Sequence, residues 1–372
     1  MKYYIIAGEA SGDLHASNLM KELRKQDQEA VFRCWGGDLM AAQGAELVRH
    51  YRDLAFMGFV EVLTHLGTIT KNIRFCKEDI VNFHPDVLIL VDYPGFNLRI
   101  SRFAHEKGIR VFYYISPQVW AWKSSRVNII KETVDHMFVI LPFEKDFYKK
   151  YDYEVDFIGH PLIDVINAES KYPGRKSFLE QNHLPDKPII ALLPGSRRQE
   201  IRLMLQAMLE VLPSFSAYQF VIAGAPSVDL DFYSEIISGN EIAVITAQTR
   251  DLLYHSEAAL VTSGTATLET ALMNIPQVVC YKGNVFSYLV ARMIIHVKFI
   301  SLVNLILDKE IVKELIQDNL NSRNLTMELK KILEPAKRKQ IQTGYETLRE
   351  QLGGSGASAR AAGLMIQYMK KN

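Results

Sequence analysis

The chain has 372 residues, of which 48% are hydrophobic and 23% charged, with a formal net charge of +1. That balance is ordinary for a soluble globular protein of two domains or one large one, and it argues against nucleic acid as the main partner. Three widely spaced cysteines, Cys34, Cys76 and Cys280, fit a reducing compartment and provide neither a disulfide framework nor a cysteine-rich metal site.

Residues 3–7 are a short β-rich run that turns on Gly8, so the N-terminus reads as a strand and not as a signal peptide. No apolar run approaches the roughly 18 residues of a membrane-spanning helix. The turn at 8–13 (GEASGD) is expected to lead into a helix from about 14 to 25. It is neither a dinucleotide fingerprint nor a Walker A loop. Glu9, Ser11 and Asp13, beside Gly8 and Gly12, offer polar groups to hydroxyls, or else Ser11 or Asp13 caps a plain βα turn. Further strands are expected at 31–35, 87–91, 111–115 and 137–140, with helical patterns at 100–107 and 144–150. Alternating strands and helices predict a parallel sheet covered on both faces, with ligands at the carboxyl ends of the strands.

Residues 54–69 (LAFMGFVEVLTHLGTI) are different. Val62, Leu66 and Ile69 share one helical face, with Phe59, Val60 and Leu63 beside them. Either a second domain covers this face, or it lies on an anionic membrane with Lys71, Arg74 and Lys77 as flanking cations. Asp92 ends the strand at 87–91, and Pro94 and Gly95 force a turn after it. A carboxylate there can act as a general base or cap the next helix. In residues 116–126 (SPQVWAWKSSR), Trp120 and Trp122 can stack on a sugar, with Lys123 and Arg126 near a phosphate, or pack in the core.

A polar linker at 167–177 precedes a second series of strands, at 187–193, 219–223, 242–246, 258–261 and 277–281. The first ends in Gly195, Ser196 and Arg197, followed by Arg198. Two arginines at a strand end can clamp a pyrophosphate, or they can lie solvated at a helix start. Asp229 and Asp231 resemble a metal-holding D-x-D pair but read as helix capping, and no cluster has metal-ligand spacing. After the strand at 258–261, Ser263, Gly264 and Thr265 turn into a helix. Free N–H groups there suit a phosphate, and Glu269, one helical turn on, suits ribose hydroxyls; a merely capped helix is the alternative. Residues 325–351 are helical and charged, 353–358 (GGSGAS) break the pattern, and 359–370 form a last helix.

In order and spacing these motifs resemble the lipid-A-disaccharide synthase family over essentially the whole chain. They are 8–13, 55–63 (AFMGFVEVL), 92–97 (DYPGFN), 116–122 (SPQVWAW), 141–144 (LPFE), 157–160 (FIGH), 193–197 (LPGSR), 263–269 (SGTATLE) and 301–304 (SLVN). The resemblance implies a GT-B glycosyltransferase with two Rossmann-like domains, at 1–165 and 166–344. The C-terminal helical segment 345–372 packs back or swaps into a homodimer. The reaction it implies is an inverting transfer from UDP-2,3-diacylglucosamine to 2,3-diacylglucosamine 1-phosphate, giving lipid A disaccharide 1-phosphate and UDP. It implies Asp92 as base, Arg197 on the donor diphosphate, Ser263–Glu269 with Tyr281 as the UDP site, and Asn304 as a further polar site residue. It assigns the 54–69 patch to membrane or acyl contact, at the cytoplasmic face of the inner membrane of a Gram-negative bacterium. No metal, cofactor or nucleic acid is expected. The chain departs from the family's pattern at Gly95, where a second aspartate is frequent, and at Gln118, where a serine is.

Overall fold

The computed structural model describes residues 1–54, 66–122, 125–168, 172–237, 239–283 and 298–371. The chain forms two compact units, Met1–Asp164 with Leu352–Asn372, and Val165–Gln351. In the first unit the described strands are β1 (Lys2–Ala7), β2 (Val31–Gly36), β3 (Glu46–His50), β4 (Val87–Val91), β5 (Arg110–Tyr114), β6 (His136–Val139) and β7 (Asp156–Phe157). They make one parallel sheet in the order 3-2-1-4-5-6-7. In the second unit β8 (Ile189–Leu193), β9 (Gln219–Gly224), β10 (Ala243–Thr246), β11 (Ser256–Thr262), β12 (Gln277–Tyr281) and β13 (Lys313–Ile316) form a parallel sheet in the order 10-9-8-11-12-13.

Strand periodicity explains how each sheet is covered. Side chains alternate between faces. Tyr3, Ile5 and Ala7 enter one core with Ala16, Leu19 and Leu23 of the Ala10–Gln26 helix. Tyr4 and Ile6 enter the opposite core with Leu98 and Ile100. Central strands buried on both faces read as unbroken apolar runs, as β4 (VLILV) and β8 (IIALL) do. Three edge strands, β3, β7 and β13, carry mixed sequences such as ELVRH and KELI, because one side of an edge strand meets solvent. These three have no strand signal in the sequence.

Two expectations about boundaries need correction. The first helix begins at Ala10, not near 14. Ser11, Gly12 and Asp13 therefore lie in its first turn, and the loop is only Gly8 and the extended N-cap Glu9. The segment 345–372 is divided between the two units. Residues 345–351 finish the Pro335–Gln351 helix of the second unit, with Tyr345 and Leu348 buried. The chain then turns at Gly353 and Gly354, whose φ of 81° and 62° favour glycine. The last helix, Ala357–Lys370, returns to the first unit, where Ala361, Ala362, Met365 and Ile366 join the core that holds Leu19 and Leu23. Asp164 anchors it: its carboxylate accepts the backbone N–H groups of Gly356 and Ser358, the latter at 3.0 Å.

Each sheet has a point where successive connections leave for opposite faces. It falls between β1 and β4 in the first unit and between β8 and β11 in the second. Loops diverge there and leave an opening at the strands' carboxyl ends. The openings are bordered by Gly8–Glu9 and Asp92 in the first unit, and by Gly195–Arg197 and Ser263–Thr265 in the second.

Because Asp164 caps the returning helix, Asp164→Ala is expected to lower stability by about 1–2 kcal/mol. A urea melt followed by circular dichroism checks this, and Asp164→Asn, which keeps an acceptor oxygen, should lose less.

Candidate functional site

In the first unit, Asp92 and Tyr93 follow β4 with φ of 42° and 48°. Two successive left-handed non-glycine residues cost roughly 1–2 kcal/mol each. Surrounding hydrogen bonds hold the turn. The Tyr113 hydroxyl donates to the Asp92 carbonyl at 2.6 Å, and the Asn97 amide donates to the same oxygen at 2.7 Å. The Asp92 N–H points to the Ile115 carbonyl at 3.3 Å. Pro94 opens the helix that follows, Pro94–Glu106. The Tyr93 ring lies over Gly8, where a Cβ would come within 2.3 Å of it, so residue 8 must lack a side chain.

The Asp92 carboxyl is raised from 3.8 to about 7, first by burial, then by the negative charge of Glu9, and against a hydrogen bond from the Tyr93 backbone. Asp92 keeps part of its surface accessible. It is thus poorly hydrated yet reachable, the condition of a base poised near neutral pH. Behind this turn, Glu144 is fully enclosed and also raised to about 7 by burial. Its carboxylate accepts the N–H groups of Ile140 and Leu141 and so fixes the end of β6.

In the second unit, Gly195 has φ of 111°, and a Cβ there would meet the Glu200 carboxylate at 2.2 Å. That carboxylate accepts the Ser196 N–H at 3.1 Å. Arg197 is the extended N-cap of the Arg198–Leu209 helix. Its guanidinium is exposed, with no hydrogen bond or ion pair among the described residues. Arg198 differs: it pairs with Asp229 at 2.7 Å and lies 4.8 Å over the Phe232 ring. Of the two arginines at this strand end, Arg198 is paired with Asp229 and Arg197 has no such partner among the described residues.

Ser263 is tied down by its hydroxyl, which donates to the Ile300 carbonyl at 2.8 Å. Gly264 caps the Thr265–Leu272 helix, and a Cβ on it would meet nothing within 4 Å. The backbone at the start of this helix thus faces open space. Glu269 accepts from Arg250 Nε at 2.8 Å, and both side chains are about four-fifths buried, with 19% and 20% exposed. Tyr281, half-buried at the end of β12, lies beside Gly283.

Two residues expected at the site are engaged in holding the fold. The Asp13 carboxylate accepts three backbone N–H groups, from Gly37 at 2.8 Å and from Leu39 and Met40 at 3.1 Å. It caps the Asp38–Ala42 helix. Asn304 is fully buried and saturated. Its amide donates to the Val312 carbonyl and to Glu314, and its oxygen accepts from Ile311 and Val312, all at 2.8–3.1 Å. Gly12 packs on Ala7, with 3.1 Å between its notional Cβ and the Ala7 Cβ. Ser11 is exposed in the first helical turn. Phe59, Val60, Val62 and Leu63 lie outside the described residues, as do the side chains of Leu66 and Trp122. Ile69 is half-buried.

The family model for lipid-A-disaccharide synthetase matches residues 3–367. The chain belongs to that family. It is 40% identical to the lipid-A-disaccharide synthase of Syntrophus aciditrophicus, covering 99% of this chain and 98% of that one. It is 38% identical to that of Geobacter metallireducens, covering 99% and 97%. Among solved structures it is similar to the UDP-GlcNAc 2-epimerase from Neisseria meningitidis bound to UDP-GlcNAc, with a TM-score of 0.68 and 13% identity over the whole of both chains. That likeness reports the shared GT-B fold. As a member of the lipid-A-disaccharide synthetase family, the chain is a glycosyltransferase of lipid A biosynthesis.

Within this family frame, two charged residues stand out that no sequence pattern selects. Glu314, on the edge strand β13, accepts from the Ile300 N–H at 2.9 Å, the Ser301 N–H at 3.0 Å, the Ser301 hydroxyl at 2.8 Å and Asn304 at 2.9 Å. It thereby holds the carbonyl to which Ser263 is tied. Arg250 holds Glu269. Neither belongs to a recognisable motif, because each acts on residues distant in the chain.

The contrast between a saturated and an unused side chain is measurable. Asn304→Ala strips partners from Val312 and Glu314 and should cost about 1–3 kcal/mol. Arg197→Ala, at an exposed unpaired site, should stay within about 0.5 kcal/mol of the parent. Chemical denaturation of both proteins tests the assignment.

Proposed function

We propose that this protein transfers the 2,3-diacylglucosamine unit of UDP-2,3-diacylglucosamine to the 6-hydroxyl of 2,3-diacylglucosamine 1-phosphate, with inversion at C1. The products are lipid A disaccharide 1-phosphate and UDP. The observation that carries the reading is Asp92: an accessible carboxyl at the end of β4, with its pKa raised to about 7 and its backbone fixed by Tyr113 and Asn97. In this role Asp92 accepts the acceptor's hydroxyl proton as the oxygen attacks C1 and the bond from C1 to the diphosphate breaks. A base whose pKa matches the working pH is both sufficiently ionised and sufficiently basic.

The donor reading rests on the second unit. Arg197 offers an unpaired guanidinium to the diphosphate, and the open helix start at Gly264–Thr265 offers N–H groups. Glu269 accepts ribose hydroxyls, and Tyr281 borders the same strand ends. Charge developing on the leaving UDP is met by these groups, and the reaction needs no metal in this reading. The UDP-GlcNAc carried by the solved Neisseria structure supports a nucleotide-sugar donor. Both substrates are lipids, so we assign the work to the cytoplasmic face of the inner membrane. The Leu66–Phe83 helix exposes Phe75, Lys71 and Arg74, a combination suited to an anionic lipid surface. No helix among the described residues is long and apolar enough to cross a membrane.

The deciding assay is UDP release from the diacylated donor in detergent micelles, with EDTA, with and without the lipid monosaccharide acceptor. Release that requires acceptor and survives EDTA is expected. Acceptor-independent release, or loss of activity with EDTA, overturns the corresponding part of the reading.

Asp92→Asn is expected to reduce turnover about 10²–10⁴-fold and to abolish a rate limb that rises through about pH 7. Stability should move the other way. Because the folded value lies above the ordinary 3.8, the stability tied to the neutral carboxyl is complete below about pH 4 and is lost as the pH rises through about 7. The asparagine variant should therefore melt above the parent at pH 8, with a gap that shrinks toward pH 4. Paired thermal melts at the two pH values check this.

A further inference from the structure

We propose that Arg250 is a positioning residue for the donor's ribose, holding the Glu269 carboxylate so that its second oxygen can receive the ribose hydroxyls. The inference rests on the donor-site reading above and extends it to a residue 19 positions away in the chain.

Topology brings the pair together. Arg250 lies in the first turn of the Thr249–Tyr254 helix, which follows the edge strand β10. Leu252 and Leu253 of that helix are buried with Leu193, Val221 and Val261, side chains of β8, β9 and β11. The helix thus lies against the middle of the sheet, and Ala266 and Met273, at either end of the Thr265–Leu272 helix, pack on the same core. Arg250 Nε then reaches Glu269 Oε1 at 2.8 Å, and among the described residues nothing donates to Oε2.

An ionised carboxylate has about four lone-pair directions. One guanidinium bond to Oε1 fixes the rotamer, while Oε2 still has room for two hydroxyl donors. A carboxylate held this way accepts stronger hydrogen bonds than a freely rotating one, because its orientation is set before the ligand arrives. Without Arg250, Glu269 is a partly buried charge with no counter-ion, and its best response is to rotate toward water. An ion pair that serves stability alone predicts something different: its loss weakens binding of every ligand through the fold and does not distinguish one sugar from another.

The experiment compares binding of UDP and 2′,3′-dideoxy-UDP by isothermal titration to the full-length protein and to Arg250→Met. Hydrogen bonds from two hydroxyls to a fixed carboxylate should make the parent prefer UDP by roughly tenfold to a hundredfold. In Arg250→Met the ratio is expected to fall to within about threefold of unity, through loss of UDP affinity and not gain of dideoxy affinity. An unchanged ratio overturns the proposal. So does an equal loss for both ligands, which marks a structural role. Arg250→Lys keeps the charge without the planar fork, is expected to give an intermediate ratio, and carries the test if the methionine variant does not fold. A parent protein that fails to bind UDP refutes the donor-site reading itself, and one that binds both ligands equally refutes the ribose contact of Glu269 and with it the role of Arg250.

Discussion

Parallel strands cannot be joined by tight turns, so every connection in this molecule crosses a face of a sheet. Where two neighbouring strands send their connections to opposite faces, the loops must part. That constraint opens the first sheet between β1 and β4 and the second between β8 and β11. Nearly all the chemistry considered for this protein borders those two openings. Gly8, Glu9 and Asp92 stand at one, and Gly195, Arg197, Gly264 and Thr265 at the other. The apolar strands beneath, such as β4 and β8, are fully buried and make the openings rigid.

Around each opening the polar groups divide into two kinds. One kind is saturated and holds backbone in place. Asp13 caps the Asp38–Ala42 helix, Glu144 fixes the end of β6, and Asn304 and Glu314 together fasten the segment that anchors Ser263. The other kind is left with bonding capacity: the Arg197 guanidinium, the start of the Thr265–Leu272 helix and the second oxygen of Glu269. A buried polar group without a partner is costly, so most of the interior completes its bonds, with exceptions such as Thr262 Oγ1 at the end of β11, which has no partner among the described residues. Exposure and bond count therefore separate framework from site more cleanly than residue type does.

Asp92 shows the tension between stability and chemistry. It and Tyr93 adopt left-handed backbone, and its carboxyl is crowded by protein beside the charge of Glu9. Both features oppose folding. They persist because Tyr113, Asn97 and the end of β5 over-determine the turn. The same features that make the residue unfavourable make its carboxyl basic enough to take a hydroxyl proton.

The alternating apolar runs fixed the fold class, the central strands and the places where they end. The strand-ending motifs around Asp92, Arg197 and Ser263 were enough to name the family, because local sequence controls strands buried on both faces and tight turns. Of the edge strands, β10 (AVIT) was legible, whereas β3, β7 and β13 were not, since their charged residues break the apolar pattern. Asp13 reads as a site residue because polar side chains near strand ends look alike in sequence, and Asn304 by the resemblance; only the folded chain shows that Asp13 holds three backbone N–H groups and that the amide of Asn304 is filled by Val312, Glu314 and Ile311. Arg250 and Glu314 were silent for the converse reason. Their importance lies in partners such as Glu269 and Ile300, 19 and 14 residues distant respectively, and distance along the chain says nothing of distance in space until the sheet brings its connections together.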